Sequence, residues 1–381
     1  MEIYLDNAAT TRVCPEAADA AYKVMTELYG NPGSTHKAGR EARAVLDDSR
    51  NKLAAALGCA AKEVYFTSGG TESDNWAILE GAYLRRRIGR HIISSAVEHD
   101  AVRQPLEKLV REGWEITLLS PDSAGAVSVN AVRDALREDT ALVTLMMVNN
   151  ETGAVTDIAG VARALRAAKS GALLHTDAVQ GFLKEPFSAK TLGADMISVS
   201  GHKVHAPKGI GALYLSDHIV QAFQPPYLGG EQEREIRPGT ENLPYAMGMA
   251  AAATRLAKTM KSRDAAVRAL NQRLREGLKA FSEVEINSPA GAVPEVLNFS
   301  EHCIKSETML AWLAEEQIYV SSASACGRGL PSHTRAAMGK DPLAIDTAIR
   351  VSFCGDNTPE DVDAFLNRFE DGMKHLQRIK K

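Results

Sequence analysis

The stretch DMISVSGHKVHAPKGIGALYLS, Asp195 to Ser216, sets one lysine between two apolar runs. DMISVS (195–200) and GALYLS (211–216) read as strands because β-branched and apolar residues dominate both and glycines bound them. Lys203 follows the first strand through a Ser-Gly-His turn, so its ammonium is expected partly desolvated in a cleft. A lysine in that setting loses proton affinity and becomes a nucleophile toward carbonyl carbon. A lysine is ordinarily a solvated surface group; the strand end and the glycines outweigh that reading here.

Working outward, further strands are expected at 63–68, 91–96, 115–120, 141–148 and 172–177, separated mostly by helix-like sequence such as VARALRAAK at 161–169. Strands alternating with helices imply crossover units and a mainly parallel sheet covered on both faces, an α/β fold. The unbroken apolar run ALVTLMMV suits a strand buried on both sides. After RPGTENLP (237–244) the pattern becomes long helix, with Val267, Leu270, Leu274 and Leu278 on one face. Strand-like pieces around Pro289 and Pro294 follow, so the last third reads as a smaller α+β domain hinged near residue 255.

With 45% hydrophobic and 24% charged residues, the 381-residue chain has the balance of a globular protein able to bury a core. A net charge of -4 gives no support for nucleic acid or an anionic membrane as partner. Arg85, Arg86 and Arg87 read as a solvated helix end. The first residues carry no basic leader before an apolar stretch and no window is apolar enough to span a bilayer, so a cytoplasmic location is expected. Five scattered cysteines without a CxxC pair suggest neither a disulfide framework nor a metal site.

Ligands of open α/β sheets bind beyond the carboxyl edge of the strands, and polar residues collect there. TSGGTESDN (67–75) puts Gly69, Gly70 and Thr71 at a helix N-terminus, a place that favours a phosphate but equally suits a plain glycine turn. VEHDA brings His99, VNNETG brings Asn149 and Asn150, and HTDAVQG brings Asp177 and Gln180 to further strand ends. Each alone has a structural explanation, such as an Asp capping the next helix. A lysine, an aspartate, a histidine and a glycine-flanked Thr at one edge describe a pyridoxal phosphate site.

The sequence resembles the cysteine desulfurases of the class V aminotransferase group, nitrogen-fixation type. The likeness runs nearly end to end through YLDNAATT, GNPGSTH, TSGGTESDN, VEHDAV, NNETG, HTDAVQ, SGHKVHAPKG, GGEQEREIRPGTENLP, SSASAC, PSH and IRVSF. It implies fold type I of the pyridoxal phosphate enzymes, with a large cofactor-binding domain at 14–255 and a small domain formed by 1–13 and 256–381 that carries a cysteine segment at about 321–333. It also implies that Lys203 holds pyridoxal 5'-phosphate covalently and moves protons, that Asp177 faces the ring nitrogen, Gln180 the ring hydroxyl and His99 the ring face. Gly70, Thr71, Ser200 and His202 are implied at the phosphate, joined by Thr240 from the second subunit of a homodimer, and Asn150 and Arg350 at the substrate carboxylate. The implied reaction converts L-cysteine to L-alanine, leaving a persulfide on Cys326 for a sulfur-acceptor protein such as an iron–sulfur scaffold or a thiolation enzyme.

Cys14, Cys59 and Cys303 read as packing residues, and Cys354, four residues past Arg350, as a weaker candidate for a role in the cleft. Small residues around Cys326 give it room to move, and Arg328 either favours a thiolate or faces solvent. Two departures from the family pattern stand out: only GRGL separates Cys326 from PSH, where a longer Ser-rich stretch is usual, and Pro238 replaces a small residue. The competing readings are a selenocysteine lyase or other C–S lyase, a sulfur-transfer scaffold with slow catalysis of its own, and a nucleotide-binding α/β protein. The last lacks a GxGxxG fingerprint.

Overall fold

The computed structural model describes residues 2–122, 125–224, 227–322 and 332–379. A seven-stranded sheet runs in the order Val64–Thr67, Gly211–Leu215, Met196–Ser200, Leu173–Asp177, Thr140–Met146, His91–Ser95, Glu115–Leu119. Gly211–Leu215 lies antiparallel to both neighbours, and the remaining pairs are parallel. The expected strands therefore form one mainly parallel sheet with a single reversed strand.

Alternation along the strands feeds two cores. Ala212 and Tyr214 enter one apolar cluster while Leu213 and Leu215 enter the other, as a period of two residues requires. A third cluster gathers Leu5, Val267, Leu270, Leu274 and Leu278 with Leu297, Phe299, Phe365 and Phe369. The helical face expected from the sequence is thus buried, against the three-stranded antiparallel sheet of Glu285–Ile286, Val296–Ser300 and Ala348–Ser352. The helix Leu243–Leu278 passes residue 255 unbroken, so the change of composition expected to mark a hinge is carried by continuous helix.

The first residues tie the two regions together. Ile3–Tyr4 pairs in parallel with Ile318–Tyr319, Asp6 bridges Ser352, and Thr11 then donates from its backbone to the carbonyl of His202 at 2.9 Å. Ala8 and Ala9 are thereby carried over the carboxyl edge of the main sheet.

A buried ion pair holds the segment that leads to RPGTEN. Arg50 Nη1 and Nη2 donate to Glu233 Oε2 and Oε1 at 2.6 and 2.7 Å, and Phe66 N donates to Glu233 Oε2 at 2.9 Å. Glu233, Arg234 and Glu235 are all left-handed, with φ of 48°, 56° and 67°, a conformation that must be imposed from outside on non-glycine residues. Glu233→Ala strands the Arg50 guanidinium in the core and is expected to lower unfolding free energy by about 3–5 kcal/mol, read by urea denaturation. A loss below ~1 kcal/mol would show that the pair is dispensable.

Candidate active site

Five strand ends open into one cavity of about 210 Å³, lined by Gly70, Thr71, His99, Asn150, Asp177, Gln180, Ser200, His202, Lys203 and Arg350, together with Ala8, Ala9 and Asp74. Of the residues expected at the site, only two are absent from this lining. Thr240 is exposed and lies elsewhere on this chain, and Cys326 lies outside the described residues, as does Arg328.

The helix Gly70–Arg85 starts at the end of the first strand, and its N-cap, Gly69, offers no side chain to its free N–H groups. Gly69 has φ +155° and ψ -175°, a region open in practice to glycine alone. A Cβ on Gly211 would come within 2.6 Å of Gly69 Cα, so the two backbones approach as closely as glycine allows. Ser200 stands beside this helix end, and His202 follows it with Nδ1 3.2 Å from Thr10 Oγ1. Burial, then the neighbouring Lys203, Lys208 and Lys184, push the His202 imidazole down to about 4, so it is neutral at pH 7. The amides of the helix N-terminus, a hydroxyl and a neutral imidazole could together hold a phosphate.

Lys203 closes the short helical turn Gly201–Lys203, and its Nζ donates to the carbonyls of Ala8 and Ala9 at 2.7 and 2.8 Å. Gln180 Nε2 donates to the same Ala8 carbonyl at 2.8 Å. His99 caps the helix Asp100–Arg111 by accepting from Ala101 N through Nδ1 at 3.1 Å. In a neutral imidazole, that bond selects the tautomer with its hydrogen on Nε2.

Asp177 is buried, and its Oδ1 accepts from Val179 N at 2.8 Å. Burial raises its pKa, opposed by His99 and Lys203. Two further acids lie behind it. Burial, and then the Asp177 charge, hold Asp74 well above the usual carboxylate range, and its Oδ1 has no hydrogen-bond partner among the described residues. Glu98 Oε1 accepts from Ser95 Oγ at 2.5 Å and Met146 N at 3.0 Å, and burial pushes its pKa up to about 8. His175 completes this layer between Thr144 Oγ1 at 2.8 Å and Ser198 Oγ at 3.0 Å, held neutral by burial with a pKa of about 3. With Asp74 and Glu98 favouring their neutral forms, the layer can keep its negative charge on Asp177.

Arg350 reaches the cavity from the small sheet. Its Nη1 donates to the Asn150 carbonyl at 2.8 Å and its Nη2 to Asp6 Oδ1 at 2.9 Å, while its buried Nε has no partner among the described residues. Asn149, its neighbour in sequence, is a turn residue instead: its Oδ1 accepts from Glu151 N and Thr152 N at 2.9 Å each. The segment from 323 to 331 is flanked by anchors at this same rim. Ser321 N donates to Arg350 O at 3.1 Å, Ser332 Oγ to Glu151 Oε2 at 2.5 Å, and His333 Nε2 sits 2.9 Å from Glu98 O.

Sequence reading had no role for Asp74, for the Ala8 and Ala9 carbonyls or for the layer of Glu98 and His175. Asp74 carried a usable signal, because it stands four residues after Gly70 and so shares a helix face with it. The two carbonyls carried none, since any residue supplies a backbone oxygen.

The aminotransferase class-V family model matches residues 3–365. Among curated relatives, "Cysteine desulfurase IscS" of Methanosarcina thermophila is 38% identical over 99% of this chain and 93% of its own length. "Putative cysteine desulfurase IscS 1" of Bacillus subtilis is 39% identical over 98% and 99%. Among solved structures, a NifS-like protein superposes with a TM-score of 0.93 at 34% identity, covering 99% of this chain and all of its own, 100%. SspA in complex with cysteine superposes at 0.82 with 29% identity, over 94% of this chain and 100% of its own. A lysine, a buried aspartate and a glycine-walled helix end meeting in one cavity agree with that likeness over the whole chain: the protein belongs to the class V aminotransferase family, in its cysteine desulfurase group.

Proposed function

We propose that the protein is a pyridoxal 5'-phosphate-dependent cysteine desulfurase, releasing L-alanine from L-cysteine and passing the sulfur to Cys326. The observation that carries this is the convergence of Lys203, Asp177 and the open N-terminus of Gly70–Arg85 on one cavity. Those groups fit the cofactor: an amine for its carbonyl carbon, a carboxylate for its ring nitrogen, and amides with Ser200 and His202 for its phosphate. When bound, the cofactor supplies an electron-withdrawing ring that weakens the Cβ–S bond of the attached amino acid.

The chain's own residues do the rest. Asp177 holds the negative charge that keeps the ring nitrogen protonated, and Gln180 donates to the ring hydroxyl. His99, which lines the cavity and accepts from Ala101 N through Nδ1, would face the ring with Nε2 placed to exchange a proton. Arg350, set by Asp6 and the Asn150 carbonyl, orients the substrate carboxylate with Asn150. Lys203, held at the Ala8 and Ala9 carbonyls, would bind the cofactor's carbonyl carbon and take up and return protons at Nζ. The Cys326 thiolate attacks the substrate sulfur; the S–S bond forms as the C–S bond breaks, and a proton replaces sulfur on the β-carbon. Cysteine and one thiol thus give alanine and one persulfide, with no external oxidant.

We read 14–255 as the large domain and 1–13 with 256–381 as the small one. A homodimer in which Thr240 reaches the partner subunit's phosphate cradle accounts for its exposure on this chain. The recipient of the persulfide is a sulfur-acceptor protein of iron–sulfur assembly or thiolation. A cytoplasmic location is in keeping with described helices none of which is long and apolar enough to cross a membrane. The test is direct: the cofactor-loaded protein given L-cysteine should form alanine and protein-bound sulfane sulfur in equal amounts during a first turnover. Alanine without bound sulfur would point to a simple C–S lyase.

A further inference from the structure

Behind Gln180 lies a charged group that the reaction above does not use. Lys184 Nζ donates to Gln180 Oε1 at 2.8 Å, while Gln180 Nε2 donates to the Ala8 carbonyl that also accepts from Lys203. The row therefore runs Lys184, Gln180, Ala8, Lys203. Leu183, the residue before Lys184, is buried in a left-handed conformation at φ +59°, and its carbonyl accepts from Arg263 Nη2. A branched side chain does not adopt that φ unless held there, and holding it turns Lys184 back beneath Gln180. Lys184 also lines a second, water-sized cavity of about 20 Å³ with Lys203, Arg263, Glu295 and Cys354.

From this geometry we propose that Lys184 is a positioning residue for the cofactor: its ammonium occupies Gln180 Oε1, so that only N–H groups of the amide can face the cavity, and its charge strengthens them as donors to the ring oxygen. An amide has one accepting and one donating end, and a cation on the accepting end fixes which is which. The groups around Lys184 agree. Burial pushes its ammonium down to about 8, Glu295 opposes that shift, Arg263 and Arg350 add to it, and Cys354 opposes it weakly. The amine is still mostly protonated at pH 7. Glu295 is buried with Oε2 lacking a hydrogen-bond partner among the described residues; burial raises its pKa, and the Lys184 and Arg263 charges oppose that rise.

The inference rests on the assignment of Gln180 and Lys203 given above. It is tested on the loaded enzyme without substrate, by following the cofactor's absorption against pH. A cation two hydrogen bonds from the ring oxygen favours the ionised oxygen, so Lys184→Met should raise the pH of the absorption transition by about one unit, the scale of such a charge at an effective dielectric of ~20. In a Gln180→Ala background the same substitution should move the transition by less than half as much, because its route is removed. Lys184→Gln, which keeps an N–H for Gln180 Oε1 without the charge, serves if the Met variant does not fold, and should shift the transition in the same direction by a smaller amount. An unmoved transition overturns the inference, and so does a full shift that persists without Gln180. A wild-type protein that takes up no pyridoxal phosphate refutes the functional reading instead, so the two failures are distinguishable.

Discussion

The Lys203→Ala protein, supplied with pyridoxal 5'-phosphate, is expected to lose the yellow absorption of covalently held cofactor and to release alanine from L-cysteine at least ~10³-fold more slowly, within the range that positioned proton transfer alone contributes. The geometry explains why no neighbour substitutes. The Ala8 and Ala9 carbonyls at 2.7 and 2.8 Å fix the place of Lys203 Nζ at the cavity, and no other lysine is held there among the described lining residues. Lys184, the other amine close by, is turned toward Gln180 and the second cavity. Cofactor should still bind weakly, because the open helix end, Ser200, His202 and Asp177 remain. Dialysis should then strip the variant while wild type keeps its colour, and Lys208→Ala, altered at an exposed lysine nearby, should behave as wild type. A Lys203→Ala protein whose colour survives denaturation would mean that another amine holds the cofactor.

The reach of the sequence is clear from the Asp195–Ser216 stretch itself. Both strands and the lysine were legible because burial on two faces leaves long apolar runs, and because glycines must stand where backbones nearly touch, as Gly211 does against Gly69. Strand direction was not legible from periodicity, which is the same for parallel and antiparallel neighbours. The link of Gly201 to Ile210 nevertheless limits it, since a parallel return in the same sheet needs a crossover of about a dozen residues. Most site residues were legible because their neighbours in sequence form recognisable turns. Asp74, Glu98 and His175 were not, because the low proton affinity of the imidazole and the high affinity of the two acids come from mutual burial across four strands and a helix. Arg350 itself was expected at the site, but its pairing with Asp6, 344 residues away, was not. Long-range pairs of this kind leave no local periodicity to read.

Cys326→Ala is expected to bind cofactor and L-cysteine normally and yet to form alanine at least ~10²-fold more slowly, because a tethered nucleophile is replaced by dilute thiol from solution. The other cysteines are poor substitutes. Cys14 is buried at the start of the helix Pro15–Glu27. Burial pushes the Cys59 thiol up to about 12 and the Cys354 thiol up to about 11, so at pH 8 only about one part in 10³ of Cys354 is thiolate. Cys303 packs against the third apolar cluster. Covalent geometry limits how far Cys326 can be from the site: four residues from Ser322 span at most ~14 Å, and six from Ser332 at most ~21 Å. Both ends are fastened at the rim, Ser321 to the backbone of Arg350 and Ser332 to Glu151. Single-turnover alanine release, with Cys354→Ala as the comparison, decides the point. Full turnover in Cys326→Ala together with loss in Cys354→Ala would move the sulfur-accepting role to the thiol behind Lys203, and full turnover in both would remove a protein thiol from the reaction altogether.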